Sequence, residues 1–289
     1  MMNIKHVSAA FLLFCAAAVE AAPQVIAHRG GTGDAPENTL PAIEKALNNH
    51  ADAIWITVQL SKDGVPVLYR PSDLSSLTNL KGKVSEFTAE QLAKADAAIN
   101  FGTPDSPYRN KNIGIPTLKQ ALTRWPDTFF YLDIKSPDAV PADIANAIHR
   151  VLSSSKALQR TRIYSTDSRF LAALPPDVAR FESRDITRTL LANVTMGHQC
   201  GITAEDSRER WYGLELQRQV EVVEKFTLGE GRSKATMRWD DEAMSCFRSQ
   251  PGAHIILLGI NDAESYQQAV KLGADGVLVN SPLMIAGLK

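Results

Sequence analysis

Val25-Ile26-Ala27-His28-Arg29-Gly30-Gly31 is a short apolar run that stops at two polar residues and two glycines. It reads as a strand ending at a turn. Thr39 to Asn48 follows with helical periodicity, placing Leu40, Ile43, Ala46 and Leu47 on one stripe. Ala53 to Leu60 is again strand-like. Lys62-Asp63-Gly64 then turns the chain, and Val65 to Tyr69 runs back, as a hairpin does. Further strand starts fall at Phe129, Arg162, Ala179, Ala235, Ile255 and Val277. Helical stretches open at Thr88, Thr117 and Pro141. Strands alternating with helices predict a parallel sheet, and eight of them predict a closed α/β fold, the (β/α)8 TIM barrel, with a small hairpin insertion after strand 2. The polar stretch 184–234 fits this count least and has room for insertions.

The 289 residues, 44% hydrophobic, suit one barrel domain, expected over 23–289. A net charge of −1 gives no electrostatic case for nucleic acid or an anionic membrane surface. Residues 1–22 read as a signal peptide. Lys5 supplies the basic start, Ala9 to Val19 is apolar but too short to span a bilayer, and small residues allow cleavage near Ala21 or Ala22. Phe14 is too bulky to precede a lipoprotein cysteine at Cys15. The expected location is periplasmic or secreted, with no transmembrane anchor. There Cys200 and Cys246 are expected to pair as a disulfide, the alternative being two free buried thiols.

Barrel chemistry sits at the C-terminal ends of the strands. His28 and Arg29 follow the first strand; a histidine there exchanges protons near neutral pH, and an arginine grips phosphate through its planar fork. Gly30 and Gly31 allow backbone to approach a ligand. Asp133 and Lys135 lie two apart on a strand and so point the same way. They suit a cation and an anion in one mouth, or equally a buried structural ion pair. Ser165-Thr166-Asp167, Asn261-Asp262 and Asn280-Ser281-Pro282 end later strands.

In order and spacing, His28-Arg29-Gly30, Pro36-Glu37-Asn38-Thr39, Lys62-Asp63-Gly64-Val65-Pro66-Val67, Ile115-Pro116-Thr117-Leu118 and Gly273-Ala274-Asp275-Gly276-Val277 resemble the glycerophosphodiester phosphodiesterases. The resemblance is strong from Val25 to about Lys135 and weak until about Ile255. It implies a barrel that hydrolyses phospholipid-derived glycerophosphodiesters to glycerol 3-phosphate and an alcohol, using calcium or magnesium. It implies a catalytic role for His28, a phosphate grip by Arg29 and Lys135, and an acid–amide pair near the site at Glu37 and Asn38. Asp133 corresponds to a metal-ligand glutamate.

The sequence departs from that pattern where the metal would bind. Trp55 and Thr57 stand at the two carboxylates of the second strand, and Arg70 at the second catalytic histidine. The closing Asp-Pro segment is Asn280-Ser281-Pro282. Calcium and magnesium take several oxygen ligands, so losing two of three carboxylates removes most of the affinity. Glu37, Asp133 and Asp34 are the acids left to rebuild a weaker site. Arg70 either joins Arg29 and Lys135 in an anion site that needs no metal, or faces solvent or Asp73. Three functions follow: a binder of a small phosphodiester or phosphomonoester, an altered phosphodiesterase, or an extracellular interaction protein on a barrel scaffold. In the last, Trp211-Tyr212 is a candidate surface anchor, although core aromatics are the commoner use.

Overall fold

The computed structural model describes residues 22–202 and 208–288. The leader expected over 1–22 lies, apart from Ala22, outside them. Strand β1 (Gln24–His28) is followed by α1 (Leu40–Asn48), then β2 (Ala53–Leu60) and β3 (Pro66–Leu68). Short α2 (Ala89–Ala93) and α3 (Leu118–Arg124) precede β4 (Phe129–Ile134), α4 (Pro141–Ser154), β5 (Thr161–Tyr164) and α5 (Ser168–Ala172). Then come α6 (Arg184–Gly197), β6 (Arg210–Glu215), β7 (Gln217–Phe226) and β8 (Gly229–Arg238). The chain ends with α7 (Asp241–Arg248), β9 (Ala253–Leu258), α8 (Ala263–Lys271), β10 (Gly276–Val279) and α9 (Pro282–Ala286). Side-chain caps set many helix starts: Thr39, Thr88, Thr117 and Asp262 each accept from a backbone N–H of the first turn.

The main sheet runs β5-β4-β2-β1-β10-β9-β6, every neighbour parallel, with β3 antiparallel on the end of β2. Segment 179–182 joins the two edges. Ile163 N donates to Ala179 O at 2.9 Å, Phe181 N to Ile163 O at 2.9 Å, and Glu182 N to Trp211 O at 2.8 Å. The curled sheet thereby closes into the expected α/β barrel, with 179–182 as one stave. The strand expected at Ala235 is not a stave. It belongs to β8, which pairs with β7 alone in a separate antiparallel ribbon, and β6 takes the barrel position instead. Stretch 184–234 thus holds a helix, a stave and most of a ribbon.

Alternation along each strand divides the core. On β2, Ile54, Ile56 and Val58 face the outer helices, while Ala53 and Trp55 face the interior with Ile26, Tyr131, Tyr164, Phe181, Ile256 and Leu278. Tyr212 is 1% exposed, and Trp211 stacks on His254 at 4.2 Å with Arg162 4.0 Å above its ring. Trp211 therefore packs in the barrel interior and Tyr212 outward against Phe247 of α7 at 4.8 Å, so the pair serves as core aromatics. Cys200 and Cys246 are joined in a disulfide across a separation of 46 residues. No helix among the described residues is long and apolar enough to cross a membrane.

Candidate anion site at the barrel mouth

The turn after β1 carries three successive residues at positive φ: Arg29 at 52°, Gly30 at 80° and Gly31 at 90°. A Cβ on Gly30 would lie 3.3 Å from Ala42 Cβ and Ile43 N, so the close approach is to helix α1. The turn is pinned where Gly30 N donates to Trp55 O at 3.1 Å and Asn38 N to Arg29 O at 2.7 Å.

That geometry places Arg29 against Glu37, Nη1 to Oε2 at 2.7 Å, with Thr32 Oγ1 donating to the same oxygen at 3.1 Å. Asn38 is 1% exposed; its Oδ1 accepts from Thr57 N at 2.8 Å and so braces β2. Across the sheet Thr57 pairs with Asp133. Lys135 Nζ lies 3.4 Å from Asp133 Oδ2 and donates to Thr166 Oγ1 at 3.3 Å. His28 Nδ1 meets Asn280 Oδ1 at 2.7 Å. With the carboxamide oxygen accepting, Nδ1 holds the proton and Nε2 keeps its lone pair. Sequence reading did not give Asn280 a role, since 252 residues separate it from His28 and only the pairing of β1 with β10 joins them.

Arg70 is exposed and shows no ion pair among the described residues, and the acid nearest in sequence, Asp73, accepts from Ser75 N and Oγ. Instead Arg70 shares a cleft with Lys135. Asp34 accepts from Leu283 N and Asn49 Nδ2, which spends it on the start of α9. Trp55, in register with His28, packs on Tyr131, Tyr164 and Phe181 at 5.8, 5.0 and 5.8 Å between ring centroids. Beyond the expected residues, Arg184 also reaches this rim, holding Glu215 at 2.6 Å and Tyr164 Oη at 3.1 Å.

Burial, then the charge of Arg29, lowers the His28 pKa from 6.5 to about 4, so the imidazole is neutral at pH 7. Burial raises Asp133 from 3.8 to about 6, against the pull of Lys135 and Arg29. The consequences for stability have opposite signs. Folded Asp133 takes up its proton as pH falls through 6, well before the unfolded chain does. Its contribution is fully present below pH 4 and is lost as pH rises through 6. The His28 contribution is present above pH 6.5 and is lost as pH falls towards 4. Asp133→Asn removes only the first. In urea unfolding, the variant's stability relative to wild type is expected to fall by about 2 kcal/mol between pH 7.5 and 4.5. A difference that does not change with pH would show that burial does not hold Asp133 near 6.

The structure is a barrel with His28, Arg29 and Lys135 gathered at the C-terminal ends of its strands. The chain belongs to the glycerophosphoryl diester phosphodiesterase family, whose profile matches residues 28–283. It is 42% identical over 268 residues to the uncharacterized protein Rv2277c of Mycobacterium tuberculosis, covering 90% of this chain and 88% of that one. The crystal structure of the glycerophosphoryl diester phosphodiesterase domain of Rv2277c has a TM-score of 0.85 and 40% identity, covering 92% of this chain and 99% of that one. An Oleispira antarctica phosphodiesterase in complex with the product sn-glycerol-3-phosphate is 21% identical, with a TM-score of 0.66, over 92% and 96% of the two chains.

The divalent cation that the family implies does not fit this donor set. Glu37 and Asp133 each have one oxygen in an ion pair, with Arg29 and Lys135. At this site Glu37 Oε1, Asp133 Oδ1 and Thr57 Oγ1 are buried oxygens left without partners. They offer two compromised carboxylates and a hydroxyl, beside three side-chain cations. Among the described residues no group of three or more His, Cys, Asp or Glu is arranged to hold a metal.

Proposed function

We propose that this protein binds the phosphate of glycerophosphodiesters or glycerol 3-phosphate at the barrel mouth, and that it does not hydrolyse them by the metal-dependent route. The observation that carries this reading is the pairing of each available carboxylate with a cation, Glu37 with Arg29 and Asp133 with Lys135, and the absence of a third acid beside them among the described residues. In this reading Arg29 and Lys135 grip the phosphate. Neutral His28 faces it with Nε2, and Asn280 sets the ring's orientation. Glu37 and Asn38 position Arg29 and β2, and Arg70 adds charge at the rim. The product complex of the Oleispira antarctica protein, on the same fold, supports the choice of ligand.

Titration calorimetry in EDTA with glycerol 3-phosphate is expected to show binding below 1 mM, about −4 kcal/mol or stronger. A release assay on glycerophosphodiesters is expected to show no calcium-stimulated turnover. Absence of binding at millimolar ligand, or calcium-stimulated turnover lost in His28→Ala, would refute the proposal. The leader read in residues 1–22 and the Cys200–Cys246 disulfide support a periplasmic or secreted location. Isolation of the mature chain with Met1 still in place would count against it.

A further inference from the structure

Continuous with the mouth, a cleft of about 350 Å³ opens between the chain after β3 and the loops that follow β4 and β5. Arg70 and Lys135 line it together with the hydroxyl residues Ser72 and Thr166. The backbone carrying Arg70 is braced. Gln59, 2% exposed, donates from Nε2 to Tyr69 O at 3.1 Å and to Pro71 O at 2.8 Å, on either side of Arg70. The acid in the lining, Asp167, is occupied: it holds Arg169 through both oxygens and caps α5. Lys135 belongs to both spaces, since it also lies beside Asp133. Arg70 is therefore a permanent positive charge on braced backbone, without an ion pair among the described residues, near enough to act on His28.

We propose that this cleft binds a second anionic group on the same ligand, so that the preferred diester carries a phosphate on its alcohol portion. The inference rests on the proposed function and names the ligand class of that site. A guanidinium with hydroxyl donors beside it matches a phosphate in shape and charge. An ammonium headgroup would meet two cations with no open aromatic face to receive it, since Phe170, the ring in the lining, is 5% exposed.

Calorimetry in EDTA with glycerophosphoinositol 4-phosphate, glycerophosphoinositol, glycerophosphocholine and glycerol 3-phosphate tests it. The diester bearing the extra phosphate is expected to bind about tenfold tighter than the other two diesters, the scale of one charged hydrogen-bond contact. Arg70→Gln, at an exposed position, is expected to remove that advantage, and Arg70→Lys to keep part of it. Equal affinities for the three diesters, or an advantage that survives Arg70→Gln, would overturn the cleft assignment while leaving glycerol 3-phosphate binding intact. Silence from all four probes would overturn the proposed function and this assignment together.

Discussion

Arg29→Met is expected to weaken glycerol 3-phosphate binding by about a hundredfold or more and to lower stability by about 3 kcal/mol. The two losses have different causes. The affinity falls because the planar fork that faces the phosphate is gone. The stability falls because Glu37 is stranded. Its side chain is 12% exposed, Arg29 Nη1 at 2.7 Å is its charged partner, and Thr32 Oγ1 would remain as a neutral donor to Oε2. Removing one member of a largely buried pair leaves a charge without compensation, whereas removing both is often nearly neutral. Arg29→Met combined with Glu37→Gln is therefore expected to regain most of the stability and none of the affinity. Chemical unfolding and calorimetry on both variants check this. A double variant as unstable as the single one, or a single variant that still binds, would show that Arg29 does not hold both roles.

Trp55→Ala is expected to cost about 3–5 kcal/mol, the range for emptying a large aromatic site in a core. Trp55 is 2% exposed and touches three other rings at the centre of the barrel. Nothing in that layer can collapse easily, because each neighbour is held by a strand. Trp55→Phe, which keeps a ring, is expected to lose much less. Trp55→Glu puts back the kind of residue that the family resemblance implies. It is expected to fare no better than Ala, since it would bury a carboxylate among Tyr131, Tyr164 and Phe181. Denaturant midpoints decide the matter. A loss below about 1 kcal/mol for Trp55→Ala would mean that the indole lines an open mouth and is not part of the packed interior. At Trp55 the structure has a packing position, where the family resemblance implies a carboxylate.

Much of this was legible along the chain. The strand before His28, the Asp63-Gly64 turn and the caps at Thr39, Thr88 and Thr117 are local signals, and the structure has each of them. The region after Arg184 was harder for a physical reason. Residues 217–238 form a ribbon whose strands satisfy each other, so Ala235 carries as good a strand pattern as any stave. Arg210 to Glu215 has polar ends, and only its pairing with β9 makes it part of the barrel. Period-two alternation identifies a strand but not its partner.

The sequence by itself determined the fold class, the family, and the residue types at each strand end, including Trp55 and Thr57 where the resemblance implies carboxylates. These follow from local periodicity and from motifs confined to a few residues each. Only the tertiary structure decided what those residues meet. It joined Asn280 to His28, left Arg70 beside Lys135 in one cleft, consumed Asp34 at α9, and buried Asp133 until its carboxyl resists ionising. Strand pairing sets these contacts, because β1 beside β10 and β2 beside β4 bring together strand ends up to 252 residues apart, and burial excludes water from between them.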